Sequence, residues 1–312
     1  MKKDIEECRM SIILITYNHE KYIKQSLESI FSQDLDCKIE LIIADDASTD
    51  KTLDIIKSFA KTDTRFTFKY LNSPINIGIT KNYQRAISAT SHNYVAIMEG
   101  DDYWITPYKL RTQMEFLKSH LECNMVSVNY YVYEETRGKL TPRVAIGKSS
   151  RYIKARDLIK DNLVGNFSTT MYRRSALLNL PPKIFEIKSY DWIINICIST
   201  NSLIGFIEEP MSVYRLHSAG AWTGTTHLQK LEEQLSLIPQ YNELTKKYFQ
   251  KEFNVLTRRL NTEIRRIKSC NSMVQTERSR IDLSIYFPEI ILRAIKLIMP
   301  AFIFNFLKKY IK

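Results

Sequence analysis

The chain has 312 residues, 44% of them hydrophobic and 25% charged, with 45 Lys and Arg against 34 Asp and Glu for a net charge of +11. That length holds one large α/β domain with an appendage, or two modest domains. The positive excess points to an anionic partner: a membrane surface, nucleic acid or a phosphorylated substrate. Eight glycines and no Gly-x-Gly-x-x-Gly argue against a dinucleotide-binding Rossmann domain. The five cysteines, Cys8, Cys37, Cys123, Cys197 and Cys270, form no Cys-x-x-Cys pair and fit reduced thiols in a cytoplasmic protein. Met-Lys-Lys-Asp-Ile-Glu-Glu-Cys has no apolar core behind its lysines, so no secretory signal is expected.

Residues 10–16 (Met-Ser-Ile-Ile-Leu-Ile-Thr) predict a buried strand ending in the polar turn Thr16-Tyr17-Asn18-His19. His19 is expected at the surface start of a helix whose apolar positions are Tyr22, Ile23, Leu27, Ile30 and Phe31. Residues 39–44 predict a second strand, ending in Asp45-Asp46-Ala47-Ser48-Thr49-Asp50, where Ser48 or Thr49 would cap the next helix. A third strand at 66–71 leads to Asn76-Ile77-Gly78 and a helix carrying Asn82, Arg85 and Ala86. A fourth, Tyr94-Val-Ala-Ile-Met98, ends in Glu99, Asp101 and Asp102 around Gly100.

This β-α-β-α-β-α-β pattern predicts a mostly parallel, doubly wound sheet. Right-handed crossovers bring Thr16–Asn18, Asp45–Asp46 and Glu99–Asp102 to one edge, where open α/β sheets bind ligands. Three carboxylates within four residues repel one another. A divalent cation shared with substrate phosphates, Mg²⁺ or Mn²⁺, would neutralise them. The competing reading is an acidic turn ahead of a helix that starts near Pro107.

Beyond a helix at 107–119, strands are expected at 123–133 and 166–173, with a polar excursion at 134–147 between them. A short amphipathic helix is expected at 191–200. Two short strands are expected within 203–216, split by Glu208-Glu209-Pro210. Residues 228–270 read as helical and basic, and 281–312 as apolar but interrupted by Arg293, Lys296, Asn305 and Lys308-Lys309. The uncharged run Leu297–Leu307 falls short of the ~20 residues that span a bilayer. An interfacial helix on a membrane competes with a helix packed on protein.

Thr16-Tyr17-Asn18, Asp45-Asp46-Ala47-Ser48, Asn76-Ile77-Gly78 and Glu99-Gly100-Asp101-Asp102-Tyr103-Trp104, in that order, resemble the signature of family 2 glycosyltransferases of the GT-A fold. The resemblance covers about residues 10–225. It implies a GT-A domain at 1–226 and a helical C-terminal region at 227–312. It implies inverting transfer of a sugar from a nucleoside diphosphate donor, UDP- or dTDP-linked, to an acceptor hydroxyl.

By the same resemblance, Thr16, Tyr17, Asn18, Asp45, Asp46, Asn76, Gly78, Lys81 and Asp101 contact the donor. Asp101 and Asp102 hold the metal, since Glu99 stands where the family has the first Asp of its Asp-x-Asp element; His217 contacts the metal or a phosphate, with a structural histidine closing a strand turn as the competing reading. Asp191, in Ser189-Tyr190-Asp191-Trp192, maps onto the catalytic base, and Tyr214-Arg215-x-His217 onto a further family element. A helix N-cap is the competing reading of Asp191. Trp104 and Trp222 are expected to pack the cleft or stack on sugar, and Trp192 to lie in the core.

The implied setting is bacterial cell-surface polysaccharide synthesis, with a saccharide or lipid-linked saccharide acceptor. The protein would be cytoplasmic and peripheral on the inner face of the plasma membrane, with no nucleic-acid role. Two alternatives compete: a sugar nucleotidyltransferase, which would want a basic glycine-rich loop after the first strand, and a catalytically inactive membrane-docked partner.

Overall fold

The computed structural model describes residues 8–59, 63–188, 191–218 and 225–280, with side chains described to 269. The elements in order are β1 (Arg9–Thr16), α1 (Ile23–Phe31), β2 (Lys38–Asp45), α2 (Thr52–Phe59), β3 (Phe66–Tyr70), α3 (Ile79–Ser88), β4 (Tyr94–Glu99), β5 (Tyr103–Trp104) and α4 (Lys109–Ser119). Then come β6 (Cys123–Glu134), β7 (Lys139–Pro142), β8 (Ser150–Ile153), α5 (Ala155–Lys160), β9 (Thr170–Arg173), α6 (Arg174–Leu178), α7 (Asp191–Ile198), β10 (Leu203–Leu216), α8 (His227–Leu244) and α9 (Gln250–Arg280).

One sheet runs β3-β2-β1-β4-β9-β6-β10-β5, with β7 beside β6 and β8 beside β10. The first four strands are mutually parallel. β9 then lies antiparallel between β4 and β6, and β10 returns parallel to β6. β1 is buried from Met10 through Thr16, and β4 from Val95 through Met98, because helices cover both faces of a parallel sheet. β1 in particular reads as a continuous apolar run rather than an alternating one.

Three expectations change. Residues 203–216 are one continuous strand: register shifts at Ile207–Pro210 and Pro210–Ser212 accommodate Pro210 beside β6 without ending the pairing. The first part of 166–173 is a 3₁₀ turn, Phe167–Thr169, and only Thr170–Arg173 pairs as strand. Cys8 and Cys37 are disulfide-bonded, with Cα atoms 4.6 Å apart, rather than free thiols. They immediately precede paired strands β1 and β2, where Lys38 N donates to Cys8 O at 2.8 Å; their separation of 29 residues hides this proximity.

The chain divides into two compact units, with the boundary between Thr257 and Arg258. Among the described residues no helix is long and apolar enough to cross a membrane. The apolar segment 281–312, together with Ser189, Tyr190 and Trp222, lies outside the described residues.

Candidate active site

The ends of β1, β2 and β4 do meet, and their turns are latched to one another. Asn18 adopts a left-handed backbone (φ 54°), a conformation asparagine tolerates. Its N–H donates to Ser48 Oγ at 2.9 Å, and its side-chain oxygen accepts from Thr49 N at 2.8 Å. Asp45, fully buried, accepts from Ser48 N at 2.9 Å and from the Ser48 hydroxyl. Asp46 accepts from Ile77 N and Gly78 N at 2.9 and 3.0 Å, fixing the turn before α3.

Asn76 Oδ1 shares the Gly78 N–H at 3.0 Å, and Gly78 itself takes φ +86°, which suits glycine. Ser48 and Thr49 are taken up by these bonds, and at the start of α2 it is Asp50 that accepts from Thr52 N, at 3.0 Å. Tyr17, 44% exposed, and Lys81, also exposed, project from this framework; Lys81 Nζ donates to Gln84 Oε1 at 3.4 Å.

Below this platform lies the acidic turn after β4. Gly100 N donates to Ile15 O at 2.8 Å, drawing the turn onto the end of β1. A Cβ on Gly100 would stand 2.7 Å from His19 Nδ1 and 2.9 Å from Thr16 Oγ1, so the approach requires glycine. Asp101 Oδ2 faces two imidazoles: His217 Nε2 at 3.0 Å and His19 Nε2 at 3.9 Å. Burial acts to raise Asp101, but the His217 contact and the charges of both histidines outweigh it and hold the carboxyl below its usual range. His19 is thus a site residue, not a surface one, and burial lowers its pKa.

The other two acids have different roles. Burial first, then the neighbouring Asp101 charge, pushes Glu99 up to about 8, while its Oε1 accepts from Tyr83 OH at 2.7 Å. The raised carboxyl favours its neutral form, which lessens the repulsion expected of the cluster. Asp102 is buried and turned inward. It accepts from Ser168 Oγ at 2.7 Å, Arg215 N at 2.9 Å and Asn166 Nδ2. Burial, Asp101 and Glu99 all push its pKa up. Of the acids expected to hold metal, only Asp101 presents its carboxylate to the histidines.

Arg215 is built into the scaffold. Its guanidinium lies 4.8, 5.2 and 5.8 Å from the ring centroids of Tyr22, Tyr103 and Tyr133, donates to Asp101 O at 2.8 Å and binds Gln25 Oε1 at 2.6 Å. The Tyr22 ring in turn packs on His217, with centroids 4.5 Å apart. Trp104 packs beneath, its indole N–H donating to Ser168 O at 2.7 Å. Trp192 is only partly buried and donates to Leu158 O.

Asp191 is the first residue of α7, at the positive end of the helix dipole. Its Oδ2 accepts from Asn162 Nδ2 at 2.8 Å. Burial pushes its carboxyl up to about 6, against the pull of Asn162 and of backbone N–H groups at Trp192 and Asp191. Its charge acts to raise Glu99 at the end of β4, as well as Tyr83 and Tyr214. Asn162, Asn166 and Ser168 carry no motif; only their clustering ahead of β9 marks the segment.

The profile of Glycosyl transferase family 2 matches residues 11–180. An uncharacterized protein of Mycobacterium tuberculosis is 32% identical over 213 residues, 68% of this chain and 60% of the relative, so the chain spans about three fifths of that relative's length. Among solved structures, Staphylococcus aureus TarS 1–349 in complex with UDP-GlcNAc superposes with a TM-score of 0.58 at 18% identity, covering 79% of this chain and 73% of that one. A mannosyltransferase from Pyrobaculum calidifontis, in complex with GDP-Man and Mn²⁺, gives 0.55 at 14% identity over 88% and 81%. The sheet order, the strand-end acids and the family match agree: this chain belongs to glycosyltransferase family 2 and has the GT-A fold.

Proposed function

We propose that this chain moves a sugar from a nucleoside diphosphate donor to an acceptor hydroxyl with inversion, and that Asp191 is the base. The observation that carries the reading is a pair of partly buried carboxylates with opposed tuning: Asp101, 3.0 Å from His217 Nε2, is held below its usual range, and Asp191, 2.8 Å from Asn162 Nδ2, is raised to about 6. Asp191 takes the proton of the acceptor hydroxyl as that oxygen bonds to the anomeric carbon. The bond from that carbon to the diphosphate oxygen breaks on the opposite face, and the nucleoside diphosphate leaves with the electron pair. A base near the working pH contributes about 10²–10⁴ in rate.

A divalent cation fits part of this site. Asp101 offers a carboxylate, and His217 and His19 offer imidazoles facing the same oxygen. Carboxylate and phosphate oxygens suit Mg²⁺ or Mn²⁺. Among the described residues no cluster of three acidic, His or Cys side chains stands ready to hold an ion. Donor phosphates would therefore complete the set, as is usual for Mg²⁺ and Mn²⁺. When bound, the ion supplies charge stabilisation for the departing diphosphate. Asp102, with its oxygens taken up by Asn166, Ser168 and Arg215, acts in this reading as the support beneath Asp101.

The latched turns carrying Thr16, Tyr17, Asn18, Asp45, Asp46, Asn76 and Gly78 form the donor platform, with Lys81 at its rim. A UDP-, dTDP- or GDP-linked sugar is the donor, and a saccharide or lipid-linked saccharide of a bacterial surface polymer the acceptor. The apolar, basic segment 281–312 would hold the enzyme to the inner face of the plasma membrane. Deleting it should abolish co-sedimentation with anionic vesicles.

The direct test is a screen of nucleotide sugars, with and without Mn²⁺, by thermal shift. A bound donor at 100 times its Kd adds about 2.7 kcal/mol. The stabilising donor is then assayed for transfer to saccharide acceptors. No metal-dependent stabilisation by any nucleotide sugar would sink the donor reading, and full turnover by Asp191→Asn would remove Asp191 from its role.

A further inference from the structure

The segment Asp161-Asn162-Leu163-Val164-Gly165-Asn166, between α5 and β9, lends one asparagine to each of two acids. Asn166 Nδ2 donates to Asp102 Oδ2, and Asn162 Nδ2 donates to Asp191 Oδ2 at 2.8 Å. Both asparagines leave Oδ1 buried without a hydrogen-bond partner. An unmet buried acceptor is a cost to folding. These amides are arranged around the acids they hold, not for their own satisfaction.

The segment is also anchored from behind. Arg143 Nη2 donates to Asp161 Oδ1 at 2.6 Å and to Asn162 O at 3.5 Å, while Arg143 N donates to Tyr130 O at 2.9 Å. Gly165 has φ +78°, and a Cβ there would meet the Tyr130 ring at 2.3 Å. On the other side, the Trp192 indole donates to Leu158 O at 2.6 Å, tying the start of α7 to α5.

We propose that Asn162 is a positioning residue for Asp191: its amide fixes the carboxylate that receives the acceptor's proton, and favours its ionised form. This rests on Asp191 being the base. A hydrogen bond donated to a carboxylate stabilises the charged state, so losing it shifts titration to higher pH. The other ionisable groups that feel Asp191 are Glu99 at the end of β4, Tyr83 on α3, Tyr130 on β6, Tyr172 on β9 and Tyr214 on β10. The four tyrosines are raised by burial and stay neutral through the working range, and burial and the Asp101 charge raise Glu99. Arg143 and Asp161 pair behind Asn162.

The test is the pH profile of kcat, with donor and acceptor saturating, for Asn162→Ala in the full chain. A misplaced base costs up to about 10²-fold. The expected result is a 10- to 100-fold fall in kcat, donor KM within about twofold, and the acid limb moved to higher pH; Asn162→Asp, which adds a like charge, should move it further. Asn162→Ser is read in the same way should the alanine variant not fold. An unchanged kcat and limb, or an equal loss at every pH with the limb unmoved, overturns the proposal.

Asp191→Asn separates the two readings. If it retains turnover, the base assignment itself fails. If it is inactive while Asn162→Ala behaves as wild type, only the positioning role fails. In the Asp191→Asn background, Asn162→Ala should add no further loss.

Discussion

Asp191→Asn should make the protein more stable while stopping transfer. The Asp191 carboxyl sits near 6 in the fold against 3.8 for a free one, so the folded state holds its proton more tightly than the unfolded state. For a raised carboxyl the penalty is present above the folded pKa and vanishes below the unfolded one. At 1.36 kcal/mol per tenfold, the move from 3.8 to about 6 is worth about 3 kcal/mol at pH 8. The Asn162 hydrogen bond and residual solvent access reduce what substitution recovers, to about 1–3 kcal/mol. Asparagine keeps the shape, and its oxygen still accepts from Asn162. In a chain of this size that is a rise in Tm of about 2–10 °C at pH 8. The gain should shrink through pH 6 and disappear by about pH 4. Scanning calorimetry of both proteins at pH 4, 6 and 8 reads the effect. An equal Tm at pH 8, or a gain independent of pH, would refute the reasoning that burial has loaded this carboxylate.

Gly100→Ala should push His19 and Thr16 off the acidic turn, since the new methyl would stand 2.7 and 2.9 Å from them. Overpacking of this kind costs about 1–3 kcal/mol, and donor turnover should fall with Tm in paired melting and transfer assays. Arg215→Lys keeps the charge but loses the planar group between three tyrosines and the fork reaching Asp101 O and Gln25; a loss of about 1–3 kcal/mol in urea unfolding is expected, with no loss contradicting the cage. Asp46→Ala leaves Ile77 and Gly78 N–H without their acceptor. It should weaken nucleotide affinity at least tenfold by calorimetry while the far-UV spectrum is unchanged; unaltered affinity would remove the turn from the donor platform.

The parallel half of the sheet was legible because strands buried on both faces write continuous apolar runs, and β1, β2 and β4 do so. Their polar ends were legible for the same reason: a run that stops at Asp45 or Glu99 marks where the chain leaves the core. The family resemblance singled out Asp191, but nothing in the sequence pointed to Asn162 as its hydrogen-bond partner, because Asn162 lies 29 residues away in a segment with no periodicity. The role of His19 was hidden because only the approach of Gly100 and β10 turns it inward. Spacing alone could not divide the acid cluster into a lowered Asp101, a raised Glu99 and an inward Asp102, since burial and tertiary donors decide that. β10 was read as two strands because Glu208-Glu209-Pro210 is a turn signal locally; pairing with β6 overrides it.

The latching of the strand-end turns has a consequence for how such a protein can change over generations. Asn18, Ser48, Asp45 and Asp46 act as one mechanical part: Asn18 and Ser48 join two turns, Asp46 holds a third, and Asp45 fixes Ser48 in place. Drift at any one of them must be matched elsewhere or the part comes loose. Tyr17 and Lys81 stand on that part without fastening it. On the proposed donor reading, variation in what the enzyme accepts can therefore be explored at those two side chains while the backbone beneath them stays as it is.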